Sequence, residues 1–558
     1  MSQLQDLRKA IENPRYKVIS FDIFDTLVLR PSIFPTDLFV VAGRECKQND
    51  FFALVRKNCE SLARQKQAVG EDEILYSDIY DVMKNAYEYS EDEIERLLQA
   101  ELECEYSLLS ARNSAQKLFY LAKKLGKKVI IVSDIYLPYS FISKMLAHCG
   151  YEGYDKLYLS SEYKMTKSTG RLYQTVIDDM RKQGVEAGEI LHIGDNERSD
   201  VASAKRQGME AMQIRRVESI ANSDVPFRRL RSFSDRRCDN TFLIGFAINR
   251  LYDDYDNLSM PDNALRFISD ISSVSEILIA PLVFSYAKWL VDECYRLGRK
   301  SIIFIENEGL LLEKIIRRIL EYKTPKLCVK RCTVDLDIEK IVSDSTSDVI
   351  NAKVDPNMTV GDFISNFFGI SLSELDLSVI RKYGYNTTEE KIGSIIHYLP
   401  LFNEIILMRN ADREKCISKL RSTCPELFDE NNLLYSTHHS QALRKLTGIC
   451  GSENEVYTVF ADCTAKRYNI DFMVQFGTMS SRDLDKMRNT IERIIDMSPD
   501  ECKSESDECV DICKKVYDYS DGFCDIFGTR LKYLHLDSYQ FYEFMKIAFY
   551  EYKDFVLR

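Results

Sequence analysis

The first 220 residues of the chain predict an α/β fold built on a parallel sheet. Two observations support this prediction. Short apolar runs of strand length alternate with segments that have helical spacing. In addition, polar residues able to carry chemistry follow several of these runs directly, and ligands of an open α/β sheet bind beyond the carboxyl ends of its strands. The sequence therefore predicts a crevice lined by these polar residues.

The first run, Lys17–Phe21, is rich in β-branched and aromatic residues and is typical of a short buried strand. Asp22 follows it, and Thr26 comes four residues later. An acid at this strand end is expected to point into the crevice. Taken alone, the stretch fits an Asx-turn equally well, in which the aspartate side chain caps its own backbone.

The segment from residue 32 to about residue 110 predicts helices with no strand between them. Leu38–Gln65, Ile79–Ala86 and Ile94–Leu109 carry apolar residues at spacings of three and four. Ser90 followed by Glu93 is typical of a capping box at a helix start. The sequence thus predicts a helical insert directly after the first strand.

Two later stretches place chemically capable side chains at a strand end and a helix start. A strand over Lys127–Val132 ends at Ser133, whose hydroxyl can donate a hydrogen bond to a phosphoryl oxygen. Lys167 follows a third short strand and precedes a new helix. Its ammonium group can hold neighbouring negative charges together.

A fourth strand, Ile190–Ile193, is followed by a glycine and two spaced aspartates. Gly194 is expected to let the backbone turn sharply at the strand end. Asp195 and Asp200 supply carboxylate oxygens, which are the ligands that Mg²⁺ prefers.

These four stretches, in this order, resemble the four sequence motifs of the haloacid dehalogenase-like (HAD) superfamily. The resemblance implies a HAD-type Rossmann-like fold for residues 14–220, in which residues 32–110 are a helical cap over the crevice. It implies a nucleophile at Asp22 and a motif hydroxyl at Thr26. It further implies that Ser133 and Lys167 hold phosphoryl oxygens. The implied Mg²⁺ ligands are Asp22, the backbone carbonyl of Phe24, Asp195 and Asp200.

Phe24 departs from the pattern of HAD phosphatases, which carry a second aspartate at this position to protonate the leaving oxygen. A phenyl ring cannot transfer a proton, and loss of a general acid costs about 10²- to 10⁴-fold in rate. Three outcomes stay open: a substrate with a good leaving group, a substitute acid such as Asp25 or a cap residue, or binding without turnover. Dehalogenases also lack this aspartate, but the pair Asp195 and Asp200 favours a metal and a phosphoryl group.

The second half predicts a linker over 221–240 and a C-terminal domain over 241–558 that is α/β or mostly helical. Ser301–Glu306 is predicted as a buried strand before a helix, Tyr457–Phe460 as a further strand, and Leu433–Leu446 as a helix. The layout resembles bacterial HAD-type proteins linked to surface polysaccharide synthesis. Asn307–Gly309 stands where those relatives are expected to carry Arg-Asp-Gly.

Composition limits the partners and the compartment. The net charge of −12 argues against a nucleic-acid backbone or an anionic membrane as the main partner. The longest apolar run, Ile277–Ala287, is too short to insert across a bilayer. No export signal is recognisable, so we expect a cytoplasmic protein whose 16 cysteines are free thiols. The oligomeric state is left open.

The sequence therefore predicts a Mg²⁺-dependent HAD hydrolase that acts on a phosphomonoester, with sugar phosphates among the candidates, through an aspartyl-phosphate. The partner is a small phosphorylated substrate. The alternative is a non-catalytic ligand-binding or assembly module fused to a domain for glycan biosynthesis or protein interaction. For a glycosyltransferase role, Asp335–Asp337 supplies an Asp-x-Asp triplet.

Overall fold

The chain divides into two compact units, Met1–Ser285 with Lys514–Arg558, and Tyr286–Cys513. A computed structural model provides the coordinates. The structure describes residues 3–232, 237–253, 271–323, 327–334, 349, 350, 352, 355, 357–368, 382–384, 390–438, 440–450, 454, 456, 457, 491–498 and 507–534.

The first unit is built on a parallel sheet. Its strands, in chain order, are β1 (Val18–Phe21), β2 (Val28–Leu29), β3 (Ser110–Ala111), β4 (Lys128–Ser133), β5 (Lys156–Leu159), β6 (Ile190–Gly194) and β7 (Glu210–Gln213). Five of them pair in parallel in the order β5-β4-β1-β6-β7. The central strand β1 places Phe21 beside Ile131 of β4 and Ile193 of β6. The predicted α/β fold class with a parallel sheet is confirmed.

Helices precede, connect and follow these strands. They are α1 (Gln3–Glu12), α2 (Asp37–Glu45), α3 (Phe52–Gln65), α4 (Tyr76–Ala86), α5 (Glu91–Leu108), α6 (Asn113–Lys124), α7 (Tyr139–His148), α8 (Ser160–Tyr163), α9 (Arg171–Arg181), α10 (Ser203–Arg206), α11 (Val217–Ala221), α12 (Val225–Arg231) and α13 (Cys238–Tyr252).

The sheet has an apolar core on each face. Ile19 and Phe21 of β1 pack in a cluster with residues of α1, α6 and α7. Val18 packs on the opposite face with residues of α9, such as Tyr173 and Val176. Because successive side chains of a strand point to opposite faces, a strand buried on both sides reads as a continuous apolar run. This pattern explains why the strand was recognisable in the sequence.

The helices α2–α5 form the predicted helical insert. It leaves and rejoins the sheet through a short antiparallel ribbon in which Leu29 of β2 pairs with Ser110 of β3. The predicted capping box begins α5, where the Ser90 backbone N–H donates to Glu93 Oε2 at 2.9 Å and Ser90 Oγ accepts from the Glu93 N–H at 3.3 Å.

Helix α13 contacts both chain segments that join the insert to the sheet. Asn249 Nδ2 donates to the Arg30 carbonyl at 2.8 Å on the first segment. Arg112, which lies on the second, pairs through Nε with Asp253 Oδ1 at 3.2 Å, just past the end of α13. A Cβ on Gly245 would lie 2.6 Å from the Pro31 carbonyl oxygen, so only glycine permits this approach.

The segment predicted as a linker, residues 221–240, includes helix α12 and the start of α13. The first compact unit extends through Ser285 and resumes at Lys514. The domain boundaries given by the sequence analysis, at 14–220, 221–240 and 241–558, remain predictions.

The second unit has a parallel sheet of its own, in the order β11-β10-β8-β9. Its strands are β8 (Ser301–Ile305), β9 (Cys328–Cys332), β10 (Asn432–Tyr435) and β11 (Val456–Tyr457). The remaining helices in chain order are α14 (Ile271–Arg296), α15 (Leu310–Leu320), α16 (Val360–Phe368), α17 (Ile395–Thr423), α18 (Ser440–Ile449) and α19 (Asp507–Phe527), of which α14 and α19 each run across a border between the units.

The prediction of one helix over Leu433–Leu446 was wrong for its first residues. Residues 432–435 form β10, which lies between β8 and β11 and is buried throughout. A short apolar run that is buried on both sides has no periodicity to separate strand from helix. Helix α18 begins only at Ser440.

Two other sequence predictions in this half concern residues at the border of the described ranges. Strand β11 ends at Tyr457, and the rest of the predicted strand 457–460 lies outside the described residues. The triplet Asp335–Asp337 also lies outside them.

Among the described residues, no helix combines the length and the apolar character needed to cross a membrane.

Replacement of Gly245 by alanine is expected to destabilise the protein by about 1–3 kcal/mol, because the new methyl group overlaps the Pro31 backbone. Calorimetric unfolding measures the change. The matched control is Gly522→Ala in α19, where a Cβ would meet Arg250 Nη1 at 3.4 Å and Phe246 Cζ at 3.6 Å. Equal effects of the two substitutions would contradict the role assigned to the close approach.

Candidate active site

Asp22 lies at the carboxyl end of the central strand. Its backbone N–H donates to the Ile193 carbonyl of β6 at 3.0 Å, so the ladder between β1 and β6 continues to this residue. The side chain is buried, with 5% exposure. The loop that follows folds back on itself, since the N–H groups of Leu27 and Val28 both donate to the Ile23 carbonyl, at 2.7 and 3.0 Å. Asp22 is thereby held at the floor of the crevice.

Lys167 joins two of the predicted carboxylates. Its Nζ lies 2.5 Å from Asp22 Oδ1 and 2.6 Å from Asp200 Oδ1, and its side chain is 4% exposed. The Lys167 backbone is itself fixed, because its N–H donates to Asp134 Oδ1 at 2.7 Å and its carbonyl accepts from Ser203 Oγ at 2.5 Å. A buried ammonium group is therefore set between two buried carboxylates.

Asp22, Asp195 and Asp200 form one cluster, in which a carboxylate oxygen from each lies within 4.8 Å of the others. Asp195 follows β6, the neighbour of β1, so parallel pairing brings it beside Asp22. Thr26 Oγ1 donates to Asp195 Oδ1 at 3.4 Å. Strand order thus explains why residues far apart in sequence meet here.

Asp200 reaches the cluster from a π-helical turn, Glu197–Ala202. Its Oδ2 accepts from the Asn196 N–H at 2.9 Å. The Asp200 carboxylate lies over Gly194, where a Cβ would come within 2.4 Å of Asp200 Cγ. Gly194 does not have a positive φ. The glycine is therefore required for space and not for a left-handed backbone conformation.

The pKa values of these three buried acids are shifted in different directions. Burial raises the pKa of Asp22 to about 7, opposed by Lys167 and reinforced by the other two aspartates. Burial, with the nearby charge of Asp25, raises the pKa of Asp195 to about 6. Burial acts on Asp200 too, but Lys167 and His192 together hold the pKa of Asp200 well below its ordinary value. The cluster thus carries more negative charge than its neighbours neutralise.

The other two predicted positions are also at the crevice end of the sheet. Ser133 is the last residue of β4, beside β1, and is 2% exposed. Phe24 lies in the loop after Asp22, and the guanidinium carbon of Arg30 is 4.1 Å from its ring centroid. The Phe24 side chain is thus engaged in a cation–π contact.

Two residues of the site, Arg216 and His192, escaped the sequence analysis. Arg216 binds Asp195 Oδ2 through Nε and lies 3.8 Å from Asp25 Oδ2. His192 Nε2 lies 3.6 Å from Asp200 Oδ1, and its Nδ1 is 2.8 Å from Ser20 Oγ. Arg216 comes three residues after β7, and this strand-end position was an unused signal.

The donor set fits a divalent cation such as Mg²⁺. Mg²⁺ takes oxygen ligands and is commonly held by one or two carboxylates with water and phosphate oxygens. Asp22 and Asp195 offer such oxygens, and burial, reinforced by neighbouring carboxylates, raises the pKa of both, so a divalent cation there would compensate their charge. Asp200, already paired with Lys167, supports the cluster from behind Gly194.

The first unit is thus an α/β domain in which an acidic cluster and a buried lysine lie at the carboxyl ends of the parallel strands. Side chains placed in this way can bind a ligand in the crevice and react with it. Residues 16–208 match the family model described as haloacid dehalogenase-like hydrolase. This part of the chain is a HAD-like hydrolase domain. No curated protein sequence matches the chain.

Solved structures similar to the chain include three hydrolases. The magnesium-bound HAD hydrolase YfnB from Bacillus subtilis has 17% identity and a TM-score of 0.28, over 37% of this chain and 98% of that one. A HAD phosphatase from Thermococcus onnurineus has 22% identity and a TM-score of 0.25, over 36% and 86%. A 2-haloacid dehalogenase from Pseudomonas syringae pv. tomato has 17% identity and a TM-score of 0.27, over 35% and 85%.

The pKa of Asp22 predicts a pH dependence of stability in metal-free protein. The folded pKa of about 7 exceeds the ordinary value of 3.8, so between these pH values the unfolded chain releases a proton that the folded protein keeps. Stability therefore falls as pH rises from about 4 to 7. We expect Asp22→Asn to raise the melting temperature by several degrees at pH 7 and little at pH 4.

Thermal unfolding in a metal chelator at both pH values checks this expectation. The control is Asp81→Asn, which changes an exposed carboxylate of α4 and should leave both melting temperatures unchanged. A melting temperature of Asp22→Asn equal to or below that of the wild type at pH 7 would show that burial does not penalise this carboxylate.

Proposed function

We propose that the HAD-like domain, about residues 14–220, is a Mg²⁺-dependent hydrolase of a small phosphomonoester. The observation that carries this proposal is the Asp22–Lys167–Asp200 arrangement beside Asp195. A carboxylate nucleophile needs an adjacent positive charge to approach an anionic phosphate, and Lys167 lies 2.5 Å from Asp22.

In this mechanism, Asp22 attacks the phosphorus atom in line and forms an aspartyl-phosphate, while the ester oxygen leaves with its bonding electron pair. Water then cleaves the acyl phosphate and regenerates the carboxylate. Lys167 and Ser133 hold the phosphoryl oxygens, and Thr26 keeps Asp195 oriented through its hydroxyl.

Mg²⁺ bound by Asp22, the Phe24 carbonyl and Asp195, with Asp200 in support, would neutralise the phosphoryl oxygens as charge moves toward the leaving group. Residues 32–110 act as a cap that selects the substrate and excludes water. Sugar phosphates are among the substrates we propose.

Phe24 limits the class of phosphomonoester that this site could hydrolyse. Its phenyl ring, which packs against Arg30, has no acidic proton to give to the leaving oxygen. A leaving group that departs without protonation, such as that of an acyl or anomeric phosphate, fits this site best. Asp25 is the candidate substitute acid, because it lies one residue further along the same loop.

The same Phe24 favours a second candidate function. A site with nucleophile, lysine and metal ligands but no acid can bind a phosphorylated ligand without turning it over. The HAD-like domain would then be a binding or assembly module, and the second half of the chain would carry activity, in glycan biosynthesis or protein interaction.

Phosphate release from a panel of sugar phosphates, acyl phosphates and nucleotides separates these functions. We expect release that requires Mg²⁺ and falls by about a thousandfold or more in Asp22→Asn. The matched control, Asp81→Asn, should retain full activity. If folded protein releases phosphate from no member of the panel, the binding function replaces the enzymatic one.

A further inference from the structure

A cavity of about 80 Å³ lies in the first unit, beside the loop that follows Asp22. At about 30 Å³ for each water molecule, it has room for roughly two or three waters, or for one carboxylate or phosphate group. Its wall carries six polar side chains. They are Asp25, Arg30, Ser32, Arg216, Glu218 and Asn249.

The unmatched groups in this wall are hydrogen-bond donors. Arg30 Nη2 donates to Glu105 Oε1 at 2.5 Å, but Arg30 Nε is buried and has no partner among the described residues. Arg216 uses its Nε on Asp195, and its side chain is 47% exposed, so its terminal nitrogens, which make no hydrogen bond within the described part of the chain, are open to water or to a ligand. For the buried Arg30 Nε, the missing hydrogen-bond partner costs about 1–3 kcal/mol.

The carboxylates of the wall, in contrast, have cationic partners. Glu218 pairs with Arg231, which does not line the cavity. Asp25 Oδ2 lies 3.8 Å from Arg216 Nε. The groups of the wall that can still donate hydrogen bonds are therefore the guanidinium groups of Arg30 and Arg216. Guanidinium groups bind oxyanions through paired N–H donors.

The cavity adjoins the proposed catalytic residues. Arg216 connects the two, because it lines the cavity and also binds Asp195 through Nε. Asp25 follows the nucleophile by three residues. A group seated in the cavity is thus close enough to belong to a molecule whose phosphoryl group lies at Asp22.

Part of the wall lies outside the range matched by the family model. Gly245, Ile248 and Asn249 come from α13, beyond residues 16–208. Gly245, which lines the cavity, is also the residue at which α13 approaches Pro31 closely.

We propose that this cavity binds a second anionic group of the substrate, a carboxylate or a further phosphate, between Arg30 and Arg216. The substrate class is then a phosphorylated acid or a bisphosphate. This inference rests on the proposed function, since it takes the reacting phosphoryl group to lie at Asp22. Arg30 is a specificity-determining residue, and Arg216 serves both the cavity and Asp195.

Binding of stable phosphonates tests this inference without turnover. Isothermal titration calorimetry of the full chain with Mg²⁺ compares methylphosphonate with phosphonocarboxylates of increasing chain length, beginning with phosphonoacetate. We expect one phosphonocarboxylate to bind at least about tenfold more tightly than methylphosphonate, which corresponds to about 1.4 kcal/mol. Acetate added together with methylphosphonate should give no such gain, because the carboxylate must be part of the same molecule.

The informative variant is the double substitution Arg30→Met/Glu105→Gln, which removes the guanidinium group without leaving Glu105 buried and unpaired. It should reduce the advantage of the phosphonocarboxylate to about twofold or less and leave methylphosphonate binding unchanged. Glu105→Gln alone is the matched control and should retain the advantage, since Arg30 remains.

The results that would overturn the inference differ from those that would overturn the proposed function. Equal affinity for methylphosphonate and every phosphonocarboxylate, or an equal gain in methylphosphonate affinity from free acetate alone, would contradict the proposed subsite. Neither result would contradict the proposed hydrolase activity. Loss of binding for both kinds of probe in the double variant, or no binding to the wild type, would also contradict it. A carboxylate advantage without phosphate release from any substrate would contradict only the hydrolase.

Discussion

The ion pairs of Lys167 are the interaction on which the rest of the site depends. Three carboxylates approach one another in a buried crevice, and such a group is stable only where positive charge compensates it. Loss of the ammonium group would leave these carboxylates buried without their cation, and breaking a buried pair in this way typically costs about 3–5 kcal/mol. Asp134 and Ser203 in turn hold the Lys167 backbone, so contacts from three separate segments of the chain converge on this one residue.

Much of this arrangement was predictable because strand ends were visible in the sequence. The runs before Asp22 and Asp195 are buried on both faces and bounded by polar residues, and parallel pairing of β1 with β6 then brings the two acids together. The same reasoning failed for Leu433–Tyr435, a run of only three apolar residues, although the polar residues from Ser436 to Ser440 separate it from the following helix. The length of a run, rather than its hydrophobicity, decided which strands could be recognised.

Other parts of the site depend on packing that no local pattern records. Arg216 meets Asp195 only because β7 lies at the edge of the sheet beside β6. A glycine is required at position 194 because the side chain of Asp200, six residues later, occupies the space that a Cβ would need. The backbone conformation of Gly194 does not impose this requirement. The cation–π contact of Phe24 with Arg30 depends on the path of the loop after β1. Such residues become recognisable only when the elements are placed in space.

The discontinuity of the first unit has a consequence for its synthesis. The unit takes residues from both ends of the chain, and the rings of Phe246 and Phe523 pack in it with centroids 5.1 Å apart. Arg44 Nη1 likewise donates to the Tyr533 carbonyl at 2.8 Å. Chains emerge from the ribosome from the N-terminus at about 5–20 residues per second, and domains generally fold as units. The first unit must therefore wait, with these surfaces uncovered, until the whole of Tyr286–Cys513 has been made.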